Sequence, residues 1–336
     1  MHDVVLIPGD GIGPEITESV VTILKAAGAE INWIPASAGM RAFEETGEPL
    51  PQRTIELIEQ HKVALKGPLA TPVGKGFRSV NVSLRQHFNL YCNIRPAKTL
   101  PGVKSAFTHV DLITFRENTQ GMYIGEERYV GGDENHAETI AVVTRTASER
   151  IIRAAFDYAV KHGRKKITLV HKANILKYTT GLFLDIGREL SEEYPQIQFQ
   201  DMIVDNTAMQ MVINPRQFDI IVTTNLFGDI LSDLASGLVG GLGVTGSANI
   251  GDHHAMFEAV HGSAPDIAGQ GIANPTALLF SATLMLRYLN ETAIADKIRD
   301  AVYAVLPDDR FRTGDLGGSG NTATYTGALC GVISQT

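Results

Sequence analysis

Cysteine is nearly missing from this chain. Cys92 and Cys330 are the two among 336 residues, too few for a disulfide scaffold, and a reducing cytoplasm is the compartment expected from them. Basic charge is also short: 29 Lys and Arg face 37 Asp and Glu, a formal net charge of −8. Non-specific nucleic-acid binding needs a basic surface, so no nucleic-acid partner is expected. No apolar run approaches the roughly 18 residues that cross a bilayer, so no membrane partner is expected either. The opening Met-His-Asp-Val-Val enters a strand at once, and no targeting peptide is visible. Repeats, low-complexity tracts, long charge runs and an obvious flexible linker are absent too. What is present is the composition of a soluble globular protein, 44% hydrophobic and 20% charged, with length for one large or two ordinary domains.

Strands and helices alternate, which predicts an α/β fold. Strands are expected at 4–7, 31–35, 63–66, 90–95, 111–115, 167–170 and 220–223, with 139–144 as one arm of a hairpin against the region near Tyr129. Helices are expected from Pro14, suited to a first helical position, to about Lys25, and at 50–60, 148–161, 179–194 and 277–289.

The segment Asn225-Leu226-Phe227-Gly228-Asp229-Ile230-Leu231-Ser232-Asp233 is the most informative. It reads as a helix whose apolar face is Ile230, Leu231, Leu234 and Leu238. Asp229 and Asp233 then stand one turn apart, where like charges weaken an isolated helix by roughly 0.2–0.5 kcal/mol. Neither has a Lys or Arg three or four residues away. A hard divalent cation would offset the repulsion, since oxygen ligands suit Mg²⁺ or Mn²⁺. The plain alternative is a solvated acidic face, for which the apolar neighbours and the glycine-rich exit are a poor setting.

Arginines stand near element ends at Arg85, Arg95 and Arg116, a pattern suited to carboxylate recognition, because guanidinium pairs bidentately with carboxylate. In the strand around Arg95, Leu90, Cys92 and Ile94 point one way and Tyr91, Asn93 and Arg95 the other. Gly9-Asp10-Gly11-Ile12-Gly13-Pro14 resembles a dinucleotide fingerprint only superficially, since Pro14 takes the third glycine's place; a tight strand-to-helix turn is favoured. Glu258 to Gly269 reads as a Gly-, Ser- and Pro-rich loop, with an Asx-type turn at Asp266.

Taken in order from Gly9-Asp10-Gly11 through the Asn225–Gly243 run to Asp315-Leu316-Gly317-Gly318, these motifs resemble the metal-dependent, β-decarboxylating dehydrogenases of 2-hydroxy acids, the isocitrate/isopropylmalate dehydrogenase family. The resemblance spans nearly the whole chain. It implies a two-domain α/β/α sandwich that is not Rossmann: a discontinuous large domain of about 1–98 and 253–336, and a smaller central domain of 99–252 carrying a dimer interface. It implies oxidation and decarboxylation of D-isocitrate with NAD⁺ and Mg²⁺ or Mn²⁺, in a homodimer with shared active sites. Asp229 and Asp233 would hold the metal with Asp205 of a second copy. Lys172, also reaching across, and Tyr123 would transfer protons, whereas His171 is expected to be structural. Arg85, Arg95 and Arg116 would clamp carboxylates. Ser79 and Asn81 mark isocitrate users, because their polar groups suit a short-armed carboxylate and would stay unpaired against an isopropyl group. Thr71, Asn174, Glu258, His261, Gly262, Asp266, Ile267 and Asn274 would hold the cofactor. Asp266 and Ile267 replace the lysine and tyrosine of NADP-using relatives, which favours NAD⁺. Homoisocitrate or 3-isopropylmalate as substrate, or a non-catalytic regulatory role in a hetero-oligomer, are the alternatives.

Overall fold

The computed structural model describes residues 1–71, 77–132 and 134–335. Its strands are β1 (His2–Ile7), β2 (Ile31–Pro35), β3 (Val63–Lys66), β4 (Cys92–Lys98), β5 (Asp111–Glu117), β6 (Glu127–Tyr129), β7 (Ala137–Thr139), β8 (Lys166–His171), β9 (Gln198–Ile203), β10 (Ile220–Thr223), β11 (Gly246–Ile250) and β12 (Ala255–Ala259). Ten of them form one sheet in the order β2-β1-β3-β12-β11-β4-β5-β10-β8-β9. Neighbours are parallel except at the centre, where β11 runs antiparallel to both β12 and β4, and β4 to β5. β6 and β7 pair alone as an antiparallel ribbon, shorter and earlier than the hairpin arm expected at 139–144.

Helices cover both faces, the three-layer α/β/α arrangement that the family resemblance implies. Strand alternation sorts the core. Val4 of β1 and Phe257 of β12 join the apolar cluster with the helices Gly13–Ala26 and Thr276–Tyr288. Val5, Ile7 and Met256 turn to the other face, with the helices Gln52–His61 and Val80–His87. Farther along the sheet, Ile113, Phe115, Ile220 and Val222 pack under the helices Arg145–Lys161 and Thr179–Ser191. β3 and β10 are buried at every residue, as expected of strands covered on both sides.

The glycine turn after β1 is a docking point. Gly11 has φ +58°, and a Cβ there would lie 2.0 Å from the Ser263 carbonyl oxygen, so only glycine lets that loop sit against it. The Ile12 amide donates to the same oxygen at 2.9 Å. Asp10 accepts the amides of Met40, Arg41 and Ala70 at 2.8–3.0 Å.

Candidate active site

A polar stripe crosses the middle of this apolar sheet on one face. Register sets Arg116 of β5 beside Asn93 of β4, Asn93 beside Asn249 of β11, and Glu258 of β12 beside Lys66 of β3. All five side chains are buried. Buried charge is costly unless paired, and here it is. Glu258 accepts Lys66 Nζ at 2.7 Å on Oε2, and on Oε1 it accepts Arg85 Nη2 at 2.7 Å and Asn249 Nδ2 at 2.8 Å. Asn249 Oδ1 accepts from Asn93 at 2.9 Å and Asn118 at 3.0 Å. Burial raises the Glu258 carboxyl, but the Lys66 and Arg85 charges outweigh it and hold the group below the ordinary carboxylate range. Glu258 therefore lies in a strand, not in the loop expected for it. Its partners come from distant parts of the sequence, so local composition gave no sign of them.

The helix Asn225–Val239 lies over the stripe. Gly228 permits the approach: a Cβ there would meet Arg116 Cγ at 2.6 Å. Asn225 Oδ1 accepts Arg116 Nε at 3.0 Å and Nη2 at 2.7 Å, while Arg116 Nη1 donates to Asp229 Oδ1 at 2.5 Å. Arg95 Nη1 donates to Ser232 Oγ at 2.7 Å, Asp233 Oδ1 at 3.2 Å and Asp229 Oδ1 at 3.4 Å. Tyr123 donates its hydroxyl to Asp229 Oδ2 at 2.5 Å, with the Arg116 guanidinium 5.0 Å from its ring centroid. Gln86 Nε2 holds the Tyr123 carbonyl at 3.1 Å.

Electrostatics follow from this packing. Burial raises the Asp229 carboxyl, but Arg116, the Tyr123 hydrogen bond and Arg95 prevail and hold it below its usual value. Asp233 is pushed up, by burial and then by the like charge of Asp229 against the opposing Arg95. Arg116 is pushed down to about 10 by burial and by Arg95 and Arg85. Tyr123 is raised by burial and by its bond to Asp229. Two hard oxygen donors one turn apart, one disfavoured in its charged form by the other, suit a hard divalent cation in kind.

Asp205 is elsewhere. It sits in the first turn of the helix Val204–Ile213, 68% exposed, ion-paired with Lys172. Among the described residues no three His, Cys, Asp or Glu side chains gather as a metal site. Lys172 follows β8 at the head of an exposed segment holding Asn174. Around this edge Ile175, Leu176, Tyr178, Met209, Val212, Ile213 and Ile230 are all exposed. Ile230 was expected on the buried helix face with Leu231, Leu234 and Leu238, yet it is 56% exposed. The helix turns its buried stripe through Leu231, Ala235 and Leu238 instead.

Several polar atoms are buried with no partner among the described residues: Arg85 Nε, Arg95 Nε, Asn81 Oδ1 and His261 Nε2. Ser79 precedes the helix Val80–His87 as its N-cap residue, and Thr71 Oγ1 donates to its Oγ at 3.5 Å. On the cofactor-side loops, His261 Nδ1 meets the Gly262 carbonyl at 2.9 Å, and Asn274 Nδ2 donates to Asp315 Oδ2 at 3.0 Å and the Gly243 carbonyl at 3.2 Å. Asp266 and Ile267 lie in the turn Pro265–Ile267, with Asp266 exposed. Glu15 ties this region down by accepting the Gly271 and Ala273 amides at 3.2 and 2.9 Å. The residues that sequence reasoning missed are the supports: Lys66, Gln86, Asn225, Ser232 and Asn249. Lys66 alone left a local sign, a charge closing the apolar run Val-Ala-Leu.

A family model described as isocitrate/isopropylmalate dehydrogenase matches residues 3–329. A relative from Arabidopsis thaliana, named as a catalytic subunit of mitochondrial NAD isocitrate dehydrogenase, is 49% identical over 326 residues, covering 97% of this chain and 87% of the relative. One from Dictyostelium discoideum, named as a regulatory subunit of the mitochondrial NAD enzyme, is 46% identical over 341 residues, covering 100% of this chain and 93% of the relative. The solved isocitrate dehydrogenase of Methylococcus capsulatus superposes with a TM-score of 0.97 at 55% identity, covering 100% of both chains. The expected cytoplasmic location does not stand, because relatives across several eukaryotes are named mitochondrial. Two cysteines are as compatible with one reducing compartment as with another, so they could not separate the two.

Proposed function

The chain belongs to the isocitrate/isopropylmalate dehydrogenase family, and from that premise we propose that it oxidises D-isocitrate with NAD⁺ and decarboxylates it to 2-oxoglutarate and CO₂. The observation that carries this reading is the arginine cluster: Arg85, Arg95 and Arg116 converge, and two of their Nε donors are buried without a partner. A substrate with several carboxylates supplies the missing acceptors. The unpartnered Asn81 Oδ1 supports a polar rather than an apolar substituent.

Arg95 and Arg116 now rest on Asp229 and Asp233. Substrate carboxylates would draw these guanidiniums off and free the aspartate oxygens. Asp229 and Asp233, with Asp205 of a second copy, would hold Mg²⁺ or Mn²⁺, which supplies Lewis-acid polarisation of the 2-hydroxyl and its carboxylate. NAD⁺ supplies the hydride acceptor and would lie on the loops of His261, Gly262, Asp266, Ile267 and Asn274, with further contacts from Thr71 and, in the Lys172 segment, from Asn174; the exposed Asp266 would repel a 2′-phosphate. Glu258, filled by Lys66 and Arg85, would act by aiming Arg85. Lys172 Nζ, paired to Asp205, would accept the 2-hydroxyl proton. Tyr123, whose raised pKa keeps its proton at neutral pH, would deliver it to C3 once CO₂ has left.

Lys172 and Asp205 are paired away from Asp229 within one chain and stand amid exposed apolar side chains. This supports a homodimer in which each site borrows them from the other protomer. The proposed division into 1–98 plus 253–336 and 99–252 would give each part five strands of the large sheet, with β4 and β11 each standing next to strands of the other part. A regulatory role is the second reading, favoured by the name of the Dictyostelium relative. Initial rates on isocitrate, homoisocitrate and isopropylmalate, each with NAD⁺ and NADP⁺ and divalent metal, separate these. Isocitrate with NAD⁺ is expected to give the highest kcat/KM. No turnover of any would favour the regulatory reading, and a preference for isopropylmalate would reject the roles of Ser79 and Asn81.

A further inference from the structure

The face of the sheet opposite the arginine cluster carries a cavity of about 240 Å³. Alternation fixes its position. Arg95 and Arg116 point one way from β4 and β5, while Pro96, Lys98, Asp111 and Ile113 point the other and floor the cavity. One wall comes from the helix Arg145–Lys161 and the turn after it, with Tyr158 and Arg164. The other comes from the helices Thr276–Tyr288 and Thr292–Val305, with Phe280, Arg287, Arg299 and Tyr303. The cavity is therefore the seam between two helix layers, directly behind the strands that hold the substrate-side arginines.

Its lining carries four cationic side chains and one carboxylate. The cations are arranged as two pairs on facing sides. Lys98 and Arg164 share Asp111 at 2.8 and 2.5 Å, and Arg164 also reaches Asp219 at 2.8 Å. Arg287 and Arg299 share Asp296 at 2.5 Å each, and Arg299 also reaches Asp300 at 2.8 Å. These pairs are partly exposed, and such pairs are weakly held. Arg287 uses a single nitrogen in them, and its Nε and Nη1 have no acceptor among the described residues. The Tyr158 ring sits within the fields of both Arg164 and Arg287. Neither Tyr158 nor Tyr303 has a hydroxyl partner among the described residues, so both phenols can serve a ligand.

We propose that this cavity binds a compact polyanion, a polyphosphate or a polycarboxylate with at least two anionic groups, bridging the cation pair of one wall to that of the other. Each wall's cations rest on aspartates, and an anion between the walls would draw Lys98 and Arg164 from Asp111 and Arg287 and Arg299 from Asp296, fixing the spacing of the walls. The walls ride on the two halves of the sheet whose other face forms the substrate cleft, so a ligand here sets how far that cleft opens and changes the apparent affinity for substrate.

The test uses the full chain, with pyrophosphate and tricarballylate as probes that separate a phosphate from a carboxylate preference. Titration calorimetry is expected to show one probe binding once per chain in Arg116→Ala, where the substrate-side arginine cluster is broken, and at least once per chain in the wild type. In the Arg287→Ala, Arg299→Ala double variant the affinity is expected to fall about tenfold or more, the loss of roughly one charge-assisted contact or better. Arg287→Lys should restore part of it. Binding of neither probe, or binding untouched in the double variant and lost in Arg116→Ala, overturns the site. The coupling rests on the isocitrate reading. The bound probe is expected to shift the KM for isocitrate about twofold or more in the wild type and not in the double variant. Probe binding without that shift overturns the coupling while leaving the site, and absence of any isocitrate turnover would count against the functional reading rather than the cavity.

Discussion

Two regions of the molecule hold the residues to which the resemblance gives chemistry, and they are built in opposite ways. Around Asp229, the arginines, the tyrosine and both aspartates are fixed by buried partners from the same chain, down to Asn225 and Ser232 behind the guanidiniums. Around Lys172, one exposed ion pair stands among uncovered apolar side chains. The first region is preorganised by folding. On the proposed dimer, the second would be organised by what docks on it, so its chemistry and its assembly are the same question.

The largest expected effect falls on the first region. Asp229→Asn removes the charge proposed to hold the metal and leaves one acceptor oxygen where Arg116 and Tyr123 use two, and kcat should fall by about 10³-fold or more, roughly 4 kcal/mol in the barrier. Wild-type activity should vanish with EDTA and return with Mg²⁺ or Mn²⁺; full activity after exhaustive chelation would remove the metal from the account.

Next comes Glu258→Gln, which leaves Lys66 and Arg85 buried with one negative charge too few and should cost about 3–5 kcal/mol in urea unfolding. The sign with pH is definite. The folded pKa of Glu258 lies below its unfolded value, near 4.5. Its stabilisation is fully present above that value and is lost as pH falls toward the folded pKa. Wild-type midpoints should drop below pH 4.5, and the Glu258→Gln variant should lose that part of the slope.

A smaller effect is expected from Gly228→Ala. The added methyl meets Arg116, an overpacking of about 1–3 kcal/mol, and the displaced guanidinium should raise KM for isocitrate more than it lowers kcat. An unchanged KM would mean that Arg116 does not depend on that close approach. The smallest expected change is at the exposed Asp266. A like-charge pair in water at 4 Å is worth about 1 kcal/mol, so Asp266→Lys with Ile267→Tyr should move the NADP⁺/NAD⁺ preference by about fivefold. No shift in the ratio of kcat/KM values would detach these residues from cofactor choice.

The same contrast explains what could be read beforehand. Runs with a local cause were legible: 220–223 is three apolar residues and a β-branched threonine and is β10 at those bounds, and Pro14 stands in the first turn of a helix that begins one residue earlier, at Gly13. β4 runs on to Lys98, past the expected end at 95, because Pro96 lies where β11 no longer pairs with it and no ladder amide is missed. Asp229 and Asp233 showed themselves by spacing. Lys66, Asn225 and Asn249 did not, because their partners lie as far as 192 residues away, as Lys66 and Glu258 do. The placing of Lys172 with Asp205, apart from Asp229, is a three-dimensional fact that no spacing within the sequence carries.

The central claim is that the exposed region of one protomer completes the buried region of another. Lys172→Met and Tyr123→Phe homodimers should each be nearly inactive. Mixed by protomer exchange, heterodimers should regain activity approaching half that of the wild type per dimer, since one of the two composite sites then carries both groups. Verified exchange with no return of activity would contradict the account.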